Sequence, residues 1–554
     1  MHKLSPRYNE DKQEKGANSA HRRLCSTSSG TVGAWRLLRC RRRPILLLAV
    51  FAFVCIYVLF LWIPSVTTGF WHWPWLREKH LEILPSWLHM ALSYLLARAA
   101  PSVDISQGTV VGTVLTDSSL PRPIEAFLGV PYGQPPAGER RFKRAQPVKP
   151  SVAVIDASKY GKRCPAGPLG WTADDWGEDC LNLNLFRPKD RPHNTKLPVA
   201  VYLHGGAFNG GAGRYHSSAN MISWSEEPFI IVNFNYRLGA LGFLPSTITE
   251  KENALNLGLH DQILLFEWVQ KNIGAFGGDP SQVTLFGLSA GAHSIGHHVM
   301  HKTRSKRLFH RAIIDSGATT ARAVYPPNNA LHKRQFEEFL LEAKCSNISD
   351  EFDDFLPCLD PTLPPSDLRL LNKIYPDPLK DPESPYVEHR QINVGPQYKR
   401  ITAAYGQFAY VCPVRQTAHL ASEGQREPVY LYHWALNKTV KGGASHGDQG
   451  EYEVYGRGAR QFSKTQETIA GFIHAYITSF ITKGDPNHIK GEYADRPRWD
   501  RFRMKSARSV MVFGDGNDER AGGGHVGVAA QMGDIKWCEE ECNFWSDRSI
   551  LTES

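Results

Sequence analysis

From about Ser102 onward, short, continuously apolar runs alternate with stretches of helical spacing. Residues 197–204, Leu-Pro-Val-Ala-Val-Tyr-Leu-His, read as a buried strand, and so do residues 229–234, which run into the turn residues Asn235-Tyr-Arg-Leu-Gly239. Between Asp261 and Asn272 the apolar residues Ile263, Leu264, Trp268 and Val269 recur at helical spacing, which predicts a helix closed by Gly277-Gly-Asp-Pro280. A further strand, Val283-Thr-Leu-Phe286, leads into a helix running from Ala292 towards Met300. Strands that are apolar throughout and alternate with helices predict a mostly parallel central sheet covered by helices on both faces.

The first hundred residues follow another pattern. Ile45 to Ile63 are nineteen residues without a charged side chain. At about 1.5 Å per residue they span about 28 Å, the thickness of a bilayer's hydrocarbon core. Arg36, Arg39, Arg41, Arg42 and Arg43 precede them directly. The positive-inside rule then predicts a basic cytosolic tail over residues 1–43 and a single transmembrane helix over 44–64. Residues 65–101, with Trp71, Trp73, Trp75 and Trp87, read as a stalk or interfacial segment. The main domain, 102–554, is expected outside the cytosol, a type II topology. A cleaved signal peptide is the alternative, against which stand the length of the apolar run and the extended tail before it.

Charge changes this picture little. The net charge is +9, but residues 1–43 hold eleven Lys and Arg against three acids. The basic excess is a property of the tail, which argues against a nucleic-acid surface on the main domain. Cysteines fit the topology: Cys25 and Cys40 fall on the cytosolic side, Cys55 in the apolar run, and seven of the ten beyond it. Cys164 with Cys180, and Cys345 with Cys358, are near enough in sequence to close small loops, the first worth about 3 kcal/mol in chain entropy. Asn347-Ile-Ser349 and Asn437-Lys-Thr439 are glycosylation acceptors. Together these signals favour an oxidising lumen or exterior.

The candidate chemistry lies at Gly287-Leu-Ser-Ala-Gly291, a G-x-S-x-G sequence set between a predicted strand and a predicted helix. This is the context of a nucleophile elbow, in which flanking glycines let the backbone turn sharply and present the Ser289 hydroxyl. His204-Gly-Gly-Ala-Phe208 follows a strand about eighty residues earlier. Acyl transfer creates an oxyanion at the attacked carbonyl, and a glycine-rich loop offers backbone N–H groups to hold it. Ala290, the residue after the serine, supplies another.

With these motifs the chain resembles the type-B carboxylesterase and cholinesterase family, of α/β-hydrolase fold. Phe127-Leu-Gly-Val-Pro-Tyr-Gly-Gln-Pro-Pro136, Glu178-Asp-Cys-Leu-Asn-Leu-Asn184, Asn235-Tyr-Arg-Leu-Gly239 and Asp315-Ser-Gly317 fall in family order, and the likeness covers about residues 102–554. Stretches such as Tyr375-Pro-Asp377 look closest to fungal secreted esterases. The resemblance implies Gly206, Ala207 and Ala290 as the oxyanion hole. It also implies disulfides Cys164–Cys180, Cys345–Cys358 and Cys412–Cys542, leaving Cys538 spare. His446, in Ser445-His-Gly-Asp-Gln-Gly-Glu-Tyr-Glu-Val-Tyr-Gly456, is similar to the family's catalytic histidine, a base suited to taking a serine proton near neutral pH. A small-molecule ester is the implied substrate, with no metal or organic cofactor. The cluster His293, His297, His298 and His301 lacks the Glu of an H-E-x-x-H site and reads as packed or hydrogen-bonded histidines.

The pattern also departs from the family. The triad's acid should lie between Ser289 and His446, in a G-x-N-x-D/E-G type turn at a strand end, and no glycine there carries it. Asp360, Asp367, Asp377 and Glu388 are candidates without a distinguishing context. The interval is several dozen residues short, with the gap near residues 360–375. Leu288 stands where many members have Glu. An absent segment, a carboxylate from elsewhere, or a neuroligin-like scaffold that no longer needs the acid each account for this. Loss of the acid costs a serine protease about 10⁴ in kcat. The loop between Cys164 and Cys180 carries Trp171 and Trp176, read as wall packing rather than as a cation-binding pair.

Overall fold

The computed structural model describes residues 100–166, 175–192, 195–245, 247–301, 307–320, 363–388, 394–424, 427–438, 443–488, 491–503 and 508–548. The predicted span at 45–63, the tail, the stalk up to residue 99, Trp171, Asn347, Cys345, Cys358 and Asp360 lie outside them. Among the described residues no helix is long and apolar enough to cross a membrane.

The strand-forming runs assemble as β1 (Ser102–Ile105), β2 (Gly108–Val111), β3 (Thr113–Leu115), β4 (Ile124–Pro131), β5 (Val154–Asp156), β6 (Asn182–Pro188), β7 (Leu197–Leu203), β8 (Ile230–Phe234), β9 (Gly278–Leu288) and β10 (Arg311–Asp315). Seven of them make the central sheet, in the order β10-β9-β7-β8-β6-β4-β3. The pairs β10–β9, β9–β7 and β7–β8 are parallel, whereas β8–β6, β6–β4 and β4–β3 are antiparallel. The sheet is therefore mixed, not mostly parallel as the apolar runs predict. Burial on both faces makes a strand apolar throughout whichever way its neighbour runs. The link from Leu115 to Ile124 is also too short for the crossover of a dozen or more residues that a parallel pair needs.

Side-chain alternation divides the core in two. Leu197, Val199, Val201 and Leu203 of β7 join the cluster on one face with Ile230, Val232 and Phe234 of β8, while Ala200 and Ile231 join the cluster on the other. Each fully buried Val, Leu or Ile contributes about 1.5–3 kcal/mol. The helix α1 (Leu257–Asn272) covers the first face, fastened to the turn after β8 by Arg237. The guanidinium donates to Asp261 Oδ1 at 2.7 Å and Oδ2 at 2.8 Å, with both side chains buried. Removing one partner of such a buried pair costs about 3–5 kcal/mol.

Strands β1, β2 and β5 form a small sheet of their own, and beyond β10 the chain forms a further one of β11 (Tyr432–Trp434), β12 (Ser509–Asp515) and β13 (Val528–Asp534). A smaller apolar cluster gathers Leu371 and Tyr375 with Trp545 around the disulfide Cys412–Cys542. Cys164 and Cys180 form the other disulfide among the described residues. Cys538 remains a thiol, receiving a hydrogen bond from Gln407 Nε2 at 2.8 Å.

Candidate active site

Strand β9 ends at Leu288 and the helix α2 (Ala290–Met300) starts two residues later, leaving Ser289 alone in the turn at φ 57°, ψ −121°. A non-glycine residue held there costs on the order of 1–3 kcal/mol, so its surroundings must fix it. Its N–H donates to Asp315 O and its carbonyl accepts from His293 N, both at 2.9 Å. The flanking glycines are sterically required. A Cβ on Gly291 would lie 2.0 Å from Leu203 O, and one on Gly287 2.7 Å from the Gly291 carbonyl carbon. Ser289 is half-buried, at the N-terminus of α2, where first-turn N–H groups have no intrahelical acceptor.

The loop after β7 packs directly on this turn. A Cβ added to Gly205 would fall 2.9 Å from Ser289 Cβ and 2.8 Å from Leu288 O. Gly206, Ala207 and Phe208 follow with φ of 116°, 53° and 61°. Asn209 and Gly210 donate to Gly206 O at 2.9 Å, and Gly239 donates to Phe208 O at 2.7 Å, which closes the curl. Gly206 and Ala207 are exposed, and among the described residues their N–H groups donate to no backbone acceptor. His204 is stacked on Tyr236 at 4.3 Å, and burial lowers its imidazole to about 4. It is a neutral structural residue.

His446 is exposed and lies with its ring 4.3 Å from that of Tyr410. Tyr410, which the sequence reading missed, sits in a single π-helical turn, Gln407–Val411, and stacks at 6.3 Å on His293 as well. Such turns recur at functional sites, but nothing in local sequence announces one. The residue after the imidazole, Gly447, has φ 84°, and a Cβ there would touch Leu288 Cδ2 at 3.5 Å. The histidine loop thus rests on the residue before the serine. His446, Tyr410, Asp315, Gly317 and Gln449 line one cavity of about 2330 Å³. Ser289 is not on that wall; it stands behind Gly317, where a Cβ would meet Ser289 O at 2.8 Å.

Of the acid candidates of the sequence reading, Asp360 lies outside the described residues and the other three are occupied elsewhere. Asp367 accepts both Nε and Nη2 of Arg548 at 2.5 and 2.9 Å. Asp377 faces Gln397 at 2.8 Å and Lys380 at 3.2 Å, and Glu388 faces Lys399 at 3.5 Å. The carboxylates beside the elbow are instead Asp315 and Glu453. Tyr432 Oη donates to Asp315 Oδ1 at 2.8 Å and lies 3.4 Å from Glu453 Oε1. Both acids are buried, with no cation paired to either among the described residues, so burial, and for Glu453 the neighbouring Asp315, push their carboxyls up. The motif Asp315-Ser-Gly317 was legible, but its partner lies 138 residues away and no local pattern reveals it.

Two histidines of α2 are tied to protein groups: His298 Nε2 meets Gln262 Oε1 at 2.8 Å, and His293 Nδ1 meets Ala318 N at 3.3 Å. No group of metal-ligating side chains occurs among the described residues. Trp176 is 38% exposed, and residues 167–174 of its loop lie outside the described residues. Asn437 is half-buried, its N–H bonded to Asn517 O at 2.9 Å.

A strained serine at a strand–helix turn, with a glycine loop against it, is the arrangement of an α/β-hydrolase. The chain belongs to the carboxylesterase family, which it matches over residues 99–374 and 372–545. It is 32% identical to secreted lipase 4 of Gibberella zeae over 533 residues, covering 79% of this chain and 91% of the lipase. It is 38% identical over 261 residues to the acetylcholinesterase of Bungarus fasciatus, covering 45% of this chain and 41% of that enzyme. Against the liver carboxylesterase of Sus scrofa it is 39% identical over 231 residues, 39% of this chain and 40% of the relative. The chain therefore spans about two fifths of these last two. The crystal structure of Aspergillus niger EstA superimposes with a TM-score of 0.67 at 20% identity, over 82% of this chain and 99% of that one, a likeness of fold.

Proposed function

We propose that the protein hydrolyses small-molecule carboxylic esters through Ser289. The hydroxyl oxygen attacks the ester carbonyl while His446 takes its proton. The N–H groups of Gly206, Ala207 and Ala290 receive the oxyanion, and the alkoxide leaves with the proton held by His446. Water, activated by the same imidazole, then attacks the acyl-serine and frees the acid. The observation that carries this reading is the seat of Gly205 against Ser289, with exposed amides following it in the loop. Preorganised donors of this kind are each worth about 10²–10³ in kcat. Labelling with a fluorophosphonate, with Ser289→Ala as control, tests it. Serine-dependent labelling and hydrolysis of a short-chain nitrophenyl ester are expected; the absence of both would sink the reading.

A scaffold role is the second reading, favoured by one observation: Asp367, Asp377 and Glu388 are all engaged by other side chains. The same experiment separates the two. For location, two disulfides and the secreted lipase relative support an oxidising compartment outside the cytosol. We assign residues 45–63 as the anchor that holds the hydrolase domain there.

A further inference from the structure

Tyr410 stands between the helix of the nucleophile and the loop of the base. Its ring lies 4.3 Å from that of His446 at an interplanar angle of 31°, and 6.3 Å from that of His293 at 26°. At 4.3 Å two rings so close to parallel overlap face to face, since side by side their centroids would stand further apart. Tyr405 closes the group edge-on, 6.0 Å from Tyr410 at 85°. His293 belongs to α2, and its N–H donates to Ser289 O at 2.9 Å. One aromatic ring therefore bridges the helix behind the serine turn and the loop that carries the imidazole.

The local backbone explains why the ring is there. The helices α3 (Tyr398–Gly406) and α4 (Cys412–Gly424) are joined by the π-helical turn Gln407–Val411. Residues three apart share a face of an α-helix, whereas the wider π turn separates them. Gln407 thus faces the apolar cluster, accepting from Tyr375 Oη at 2.5 Å and donating to Cys538 Sγ at 2.8 Å, while Tyr410 lines the cavity. Phe408 packs on Trp545 at 4.9 Å, and Cys412, the residue after the turn, is bonded to Cys542. Held from behind by these contacts, the turn presents its tyrosine at a fixed place.

His446 gains from such a contact. It is exposed, and the χ2 torsion of a histidine is broad, so the chain alone does not set the plane of its ring. Asp448 in the same loop accepts from Ser445 N at 2.8 Å and faces Lys438 Nζ at 3.3 Å. A tyrosine face within about 6 Å also attracts a cation, and the imidazole becomes one when it takes the serine proton.

We propose that Tyr410 is a positioning residue for the base: its ring fixes the plane of the His446 imidazole and stabilises the imidazolium formed during acyl transfer. This rests on the hydrolase reading proposed above. The phenol oxygen takes no part, so a phenylalanine ring serves as well.

Two substitutions separate the ring from the rest of the side chain. Tyr410→Leu should lower kcat on a short-chain nitrophenyl ester about tenfold, with KM changed less than about twofold. The acidic limb of its kcat/KM profile should move about half a unit lower, because the protonated imidazole loses the face that favoured it. Tyr410→Phe should match the parent throughout. Tyr410→Met takes the place of the leucine variant if that one does not fold. Parental kcat and profile without the ring would overturn the proposal, and so would a phenylalanine variant as impaired as the leucine one. A second readout needs no turnover. With carbon-13 at histidine Cε1, the His446 signal is identified by its loss in His446→Gln. It should move downfield in Tyr410→Leu, with a lower titration midpoint, and stay in place in Tyr410→Phe. A signal and midpoint that do not move would overturn the proposal whatever the kinetics. A parent that takes up no fluorophosphonate and hydrolyses no ester ends the hydrolase reading and the catalytic half of this proposal, while a moved signal still upholds the stacking.

Discussion

Ser289 is held by backbone on three sides, and Gly205 is the side that tolerates no atom. A Gly205→Ala methyl would sit 2.8 Å from Leu288 O, so either the loop or the elbow must give. Misplacing reacting groups by about 1 Å costs about 10² in rate. Gly205→Ala should therefore lower kcat/KM on a nitrophenyl ester by about 100-fold while the melting temperature changes little; an active variant would detach the loop from catalysis. This level of the site was largely legible. The residues needed for a sharp turn and for exposed amides form short local motifs, and glycine is the only residue that fits them. Tyr410 and the Asp315–Glu453 pair were not legible, because each acquires meaning only from a partner far along the chain.

At the level of elements, β10 and β11 are coupled through two buried acids and a tyrosine. The folded protein raises both carboxyl pKa values, burial coming first in each case. Unfolding restores ordinary values, so the unfolded chain loses protons first as pH rises above about 4. Stability from this cluster is thus intact at low pH and declines as pH climbs towards the raised folded values. Asp315→Asn removes one of the two acids. The variant's stability relative to the parent should rise between about pH 5 and about pH 8, read from urea midpoints; parallel curves would show that the pair carries no proton linkage. Strand and helix positions were readable from periodicity, since β7, β8 and α1 are strongly patterned. Strand direction was not, because β6 and β8 are buried on both faces in antiparallel pairing just as parallel strands are.

For the whole molecule, the order of motifs along the sequence set the family, and the shortened interval before His446 pointed to the region where the family match breaks. What sequence could not convey is the size of the space left between the sheets. The remaining whole-chain feature is the tail. If residues 45–63 anchor the protein, the full chain should stay in the membrane pellet after alkaline carbonate extraction, and a chain starting at Ser102 should be soluble and equally reactive with fluorophosphonate. Release of the full chain by carbonate would remove the anchor from the picture.

Cys538 begins the helix that carries Cys542, so a third sulfur shares the small cluster that holds the Cys412–Cys542 bridge. Thiol–disulfide exchange proceeds through the thiolate. Burial pushes the Cys538 thiol up to about 11, leaving roughly one molecule in ten thousand ionised at neutral pH. The bridge is guarded against its nearest competitor by a proton, and that guard weakens steadily in alkaline buffers.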